Sequence, residues 1–144
     1  MLFRRELFYM SKNKNNFYKK WFTKANKDLE VAKLIFDSQP ETFSDIVCFH
    51  CQQATEKSLK GLLTDLNIEF KKTHNLIYLL DLLAKEININ DKLYEKAEIL
   101  EDYAVEARYP MPEENIIEKE DAEKAYDIAQ EFKEFILKKS KQDR

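Results

Sequence analysis

The chain has 144 residues, a common single-domain length, and 44% of them are hydrophobic, enough for a real core. One glycine and three prolines cannot supply the turns of a β-sandwich, a barrel or a phosphate-cradling glycine loop. The net charge of −3 excludes a strongly basic nucleic-acid coat, though not a local basic patch.

No apolar run approaches the roughly 18 residues of a membrane span. The N-terminal MLFRRELFYM has charges on both sides of a short apolar patch and lacks the h-region and cleavage site of a signal peptide. Cys48 and Cys51 are too few for a disulfide framework. A cytoplasmic protein without membrane contact is expected.

Residues 1–16 read as a flexible extension. SKNKNN at 11–16 is a polar linker, and Met10 is an alternative start. A single bundle domain is expected over 17–140. Its first helix spans about 17–37, with Trp21, Ala25, Leu29, Ala32 and Phe36 at 3.6-residue spacing, and stops before Pro40. Thr42, with Asp45 three residues on, reads as the capped start of a second helix, and Asn67 as its stop after Leu66. Thr73 is read as the cap of a third helix, with Leu76, Leu79, Leu80 and Leu83 inward. Asn90 caps a fourth, with Leu93, Ala97, Leu100, Ala104 and Ala107 on one seam; it must finish at Arg108-Tyr109 because Pro110 and Pro112 cannot continue it. The last helix, about 119–139, carries Ala122, Ala125, Ala129, Phe132 and Ile136. Short links between long amphipathic helices predict an all-α, up-and-down antiparallel bundle of four to five helices.

The second helix holds the most informative stretch, FHCQQATEKSLKGLL at 49–63. At about 100° per residue, Val47, Cys51, Ala54, Ser58 and Leu62 form the core face. Gln53, Glu56 and Lys60 fall on the opposite side, flanked by His50 and Lys57. This polar face reads either as a solvated surface, with Glu56 and Lys60 paired at i, i+4, or as a surface for a partner chain or nucleotide. Cys48 and Cys51 share the inner side while His50 points away, so no metal site is expected. No cofactor motif is present.

FHCQQATEKSLKGLL, KKTHNLIYLLDLL at 71–83 and ARYP at 107–110, after WFTKANKDLEVAKLIF, resemble the HEPN domain (higher eukaryotes and prokaryotes nucleotide-binding) over about 17–139. The resemblance implies a helical bundle that commonly forms a homodimer. Many relatives are encoded beside a minimal nucleotidyltransferase, and such pairs include toxin–antitoxin systems. Ribonuclease members carry an arginine followed four to six residues later by a histidine, and the two converge at the dimer interface. Arg108 matches the arginine, but no histidine lies C-terminal to it. Metal-independent cleavage needs a base and an acid besides charge stabilisation, and a guanidinium supplies only the last.

Only four of the 24 Lys and Arg residues are arginines, and Arg108 alone is not near a terminus. At a helix C-terminus lysine would serve the dipole equally well, so arginine points to a planar fork for carboxylate or phosphate. Glu56 or an acid of the last helix could be a purely structural partner. Tyr109 could pack under the proline turn, stack on a base or receive a nucleotide. His74 reads as a turn-setting residue or, with Arg108, as a catalytic candidate. The expected ligand or partner surface therefore comprises Arg108, Tyr109, His74, Gln53, Glu56, Lys57 and Lys60. The leading expectation is a dimeric nucleotide-, RNA- or partner-binding module. A metal-independent ribonuclease and a purely structural adaptor are the alternatives.

Overall fold

The computed structural model describes residues 17–113 and 116–140; the expected extension at 1–16 lies outside them. Five helices follow one another: α1 (Phe17–Ser38), α2 (Ser44–Asp65), α3 (Leu76–Ala84), α4 (Asp91–Arg108) and α5 (Lys119–Lys139). They form the expected all-α antiparallel bundle. α2 is its centre, packing against each of the other four.

The inward stripes follow from apolar spacing. α1 buries Tyr18, Phe22, Ala25, Leu29 and Ala32. Trp21 and Phe36, expected on that stripe, lie at its edges and are only half-buried. α3 buries its four leucines, α4 buries Leu93, Ala97, Leu100 and Ala104, and α5 buries Ala122, Ala125, Ala129, Phe132 and Ile136. The many alanines let these helices approach α2 closely.

Helix ends show where local chemistry decides. Asn90 accepts from Leu93 N at 2.9 Å, as expected of a cap. α2 ends in a Schellman arrangement: Asn67 takes φ 59°, Ile68 N donates to Leu63 O and Asn67 N to Thr64 O. Two expected starts are corrected. α2 begins at Ser44, with Phe43 before it and no side-chain cap. Residues 39–43 already wind one turn, Phe43 N donating to Gln39 O, and Ser44 Oγ donates back to Pro40 O. α3 is capped by Asn75, which accepts from Tyr78 N at 3.1 Å, while Thr73 Oγ1 accepts from Asn75 N. Thr73 braces the cap, and His74 precedes the helix instead of lying in its first turn.

Cys48 and Cys51 are fully buried free thiols in α2. Burial pushes both thiols up, Cys51 from 9.0 to about 12. A thiol raised on folding stabilises fully below its unfolded value and loses that contribution as pH climbs through the folded value. Native protein at pH 8 should therefore resist iodoacetamide and react fully once unfolded in urea. Its stability should fall between about pH 9 and pH 12, and that slope should shrink in Cys48→Ala/Cys51→Ala. Rapid alkylation of folded protein would contradict the burial argument.

Candidate functional site

Residues 49, 53, 56 and 60 form one row along α2, and a different element covers each part of it. At its C-terminal end Lys60 and Glu56 form an ion pair at 2.9 Å with side chains only 7% and 3% exposed. The Lys60 ammonium also lies 5.4 Å from the Trp21 ring and 5.9 Å from the Phe70 ring, within cation–π range. The expectation of a solvated face is thus corrected. A helical wheel sees only α2, whereas Trp21 of α1 and the segment from Phe70 to His74 roof this face over.

The other oxygen of Glu56 holds His74, Oε1 to Nδ1 at 2.9 Å. The carboxylate accepts, so Nδ1 carries the proton and Nε2 faces outward on a side chain 61% exposed. Gln53 lies beside them, donating to Gln52 Oε1 at 2.9 Å and, at a longer 3.4 Å, to Glu56 Oε1. Gln52 in turn donates to His74 O and to Glu101 Oε1. Glu101 Oε1 also receives Leu76 N at 3.4 Å. Buried Gln52 and the α4 carboxylate therefore fix the backbone that presents His74.

At the N-terminal end of the row, the Arg108 guanidinium lies over Phe49, its Cζ 5.5 Å from the ring centroid. Arg108 is exposed and, among the described residues, has no carboxylate within ion-pair distance. Neither Glu56 nor an acid of α5 is its partner. Phe49 and Glu56 are seven residues apart on α2, as are Glu101 and Arg108 on α4. Each spacing is two turns, roughly 10 Å. Arg108 and His74 thus stand on one side of the molecule, their α2 contacts, Phe49 and Glu56, two helical turns apart with Gln53 between them.

Tyr109 is 64% exposed and borders a cavity of about 290 Å³ with Glu41, Asp45, Glu106, Pro110 and Ile117. Desolvation, then Asp102 and Asp121, raise the Glu106 carboxyl. This cavity is acidic, so an anion held by Arg108 belongs on the Phe49–Gln53 side. Lys57 is separate as well. It pairs with Asp28 Oδ2 at 2.6 Å, while Asp28 Oδ1 holds His50 Nδ1 at 2.9 Å. The structure unites Gln53, Glu56, Lys60 and His74, sets Arg108 at the end of their row, and leaves Tyr109 and Lys57 on other surfaces. Phe49, Gln52, Glu101 and Asp28 were not singled out from sequence. Phe49 and Gln52 sit inside the informative stretch, but nothing local marks Glu101 or Asp28.

Among the described residues no group of three His, Cys, Asp or Glu could hold a metal ion, and no helix is long and apolar enough to cross a membrane. The family model of the HEPN domain matches residues 18–140. The chain belongs to the HEPN family. Its fold is also that of a crystal structure of an archaeal HEPN homologue, with a TM-score of 0.67 at 24% identity, covering 83% of this chain and 93% of that one. No functionally curated protein matches the chain. Arg108 of ARYP and Glu56 of the QQATEK block of this HEPN chain thus mark the two ends of one surface, with Phe49 and Gln53 along it.

Proposed function

We propose that this HEPN protein is a dimeric nucleotide- or RNA-binding module that acts with a minimal nucleotidyltransferase, in a toxin–antitoxin or defence-like pair. The observation that carries the reading is Arg108, an exposed guanidinium whose Cζ lies 5.5 Å from the Phe49 ring centroid, with no carboxylate within ion-pair distance among the described residues. Such a fork suits a phosphate, and lysine reproduces neither its planarity nor its stacking. Phe43, Val105, Tyr109 and Ile116 are exposed apolar residues, area that a second copy would cover.

One observation favours a metal-independent ribonuclease as the second reading. His74 is oriented by a buried carboxylate at Nδ1, the arrangement of an oriented general base. Fluorescence anisotropy of a labelled single-stranded RNA, in EDTA, separates the readings. Wild type should bind without cleaving, more weakly as salt rises. Arg108→Ala should weaken binding about tenfold or more, and Arg108→Lys should restore only part of it. Cleavage abolished by both Arg108→Ala and His74→Ala would replace the binding reading with the ribonuclease. No binding at low salt would leave the structural adaptor.

A further inference from the structure

The rear of α2 carries a second feature that the Arg108–His74 row does not use. Ser58 lies about 200° around the helix from Glu56. It forms the floor of a cleft of about 440 Å³ between α1 and α5, within the size range of small-molecule sites. Phe22 on the α1 wall and Ile136 and Leu137 on the α5 wall are apolar. Each wall also carries one lysine, Lys19 on α1 and Lys133 on α5. Neither lysine pairs with a carboxylate among the described residues.

The Ser58 hydroxyl is what makes this more than a gap between helices. Thr23, Thr55 and Thr64 each donate to the carbonyl four residues back, at 3.0, 3.0 and 2.8 Å. Ser58 is 95% buried (5% exposed) and has no hydrogen-bond partner among the described residues. Although the residue is largely buried, its Oγ is not among the polar atoms sealed from solvent, so it opens onto the cleft, where water or a ligand atom can pair with it.

We propose that the cleft between α1 and α5 is a binding site for a small amphipathic organic anion. A carboxylate or phosphate head meets Lys19 and Lys133, and an apolar body lies against Phe22, Ile136 and Leu137. A polar atom of the ligand pairs with Ser58 Oγ. The site needs no Arg108 and faces away from the surface that holds it.

Titration of the full chain with phenyl phosphate, hexanoate and inorganic phosphate, read by calorimetry and by amide chemical shifts, tests this. Phenyl phosphate or hexanoate should saturate with a Kd below about 1 mM, shifting amides of α1, α5 and Ser58. Inorganic phosphate, lacking a body, should bind at least about tenfold more weakly. Lys19→Ala/Lys133→Ala should weaken the organic anion about tenfold or more, and each single variant should give part of that loss. Arg108→Ala should bind it as wild type does. Absence of saturation by either organic anion up to about 10 mM would overturn the proposal. So would binding that survives the double-lysine variant, or binding lost in Arg108→Ala, which would assign the anion to the other face.

Discussion

Glu56→Ala is expected to cost about 3–5 kcal/mol, read as a drop in the urea midpoint. The carboxylate is the ion-pair partner of Lys60, and the two side chains are 3% and 7% exposed. Removing it strands an ammonium whose remaining neighbours include the faces of Trp21 and Phe70, worth about 0.5–2 kcal/mol between charge and ring. The exposed pair Lys33–Asp37 is the contrast. It has the same spacing and the same 2.9 Å distance, but its side chains are 62% and 58% exposed. Breaking it should leave the urea midpoint essentially unchanged, because solvent screens an exposed pair. Replacing both members of the buried pair, as Glu56→Leu/Lys60→Met, should recover most of the loss because no charge is then left uncompensated. His74→Ala, which removes an exposed ring, should lower stability by less than about 1 kcal/mol. Glu56 is therefore both a structural anchor and the positioning residue for His74, and the two variants separate those roles. A Glu56→Ala loss below about 1 kcal/mol would show that the pair is hydrated after all.

Periodicity made the helices legible because each outer helix has one neighbour-facing stripe. The expected 119–139 coincides with α5, and Asn90 and Asn67 perform the terminal chemistry assigned to them. α2 resisted the same reading for a physical reason. Four helices pack around it, so Gln52, Thr55, Glu56, Lys60, Thr64 and Asp65 are buried although they are polar. Nothing local distinguishes a carboxylate that will be roofed by another segment from one that will meet water. Glu101 and Asp28 fail for the same reason. Each looks like any of the chain's 27 acids until the fold places it against Gln52 or His50. Arg108 was legible as an exception among lysines, whereas its platform, Phe49, was not. The missing histidine after Arg108 is a real departure. His74 lies on the same side of the protein, but Glu56, which holds it, is two helical turns, roughly 10 Å, along α2 from the Phe49 that carries Arg108.

Gly61→Val is expected to destabilise by about 3 kcal/mol, although glycine is ordinarily the poorest non-proline residue inside a helix. Gly61 is the chain's only glycine and lies in the C-terminal half of α2. Its backbone needs no unusual angle, since its φ is not positive. What requires glycine is contact. A Cβ there would stand 2.4 Å from Phe22 Cε1 and 2.6 Å from Cδ1, and Phe22 is only 7% exposed. Gly61→Ala sets two effects of opposite sign against each other, a helix gain of about 1 kcal/mol and an overpacking cost of about 1–3 kcal/mol. The outcome depends on whether the ring can move. Tyr18 packs edge-on against Phe22 at 5.8 Å between centroids, and the remaining space is the cleft over Ser58 that Phe22 lines. Gly61→Ala should therefore lose about 1 kcal/mol net, and adding Phe22→Leu should recover part of the overpacking cost while introducing its own packing loss. If Gly61→Ala is instead stabilising, the ring swings freely into the cleft. Loss of phenyl phosphate binding in that variant would then identify Phe22 as the residue that keeps the cleft open.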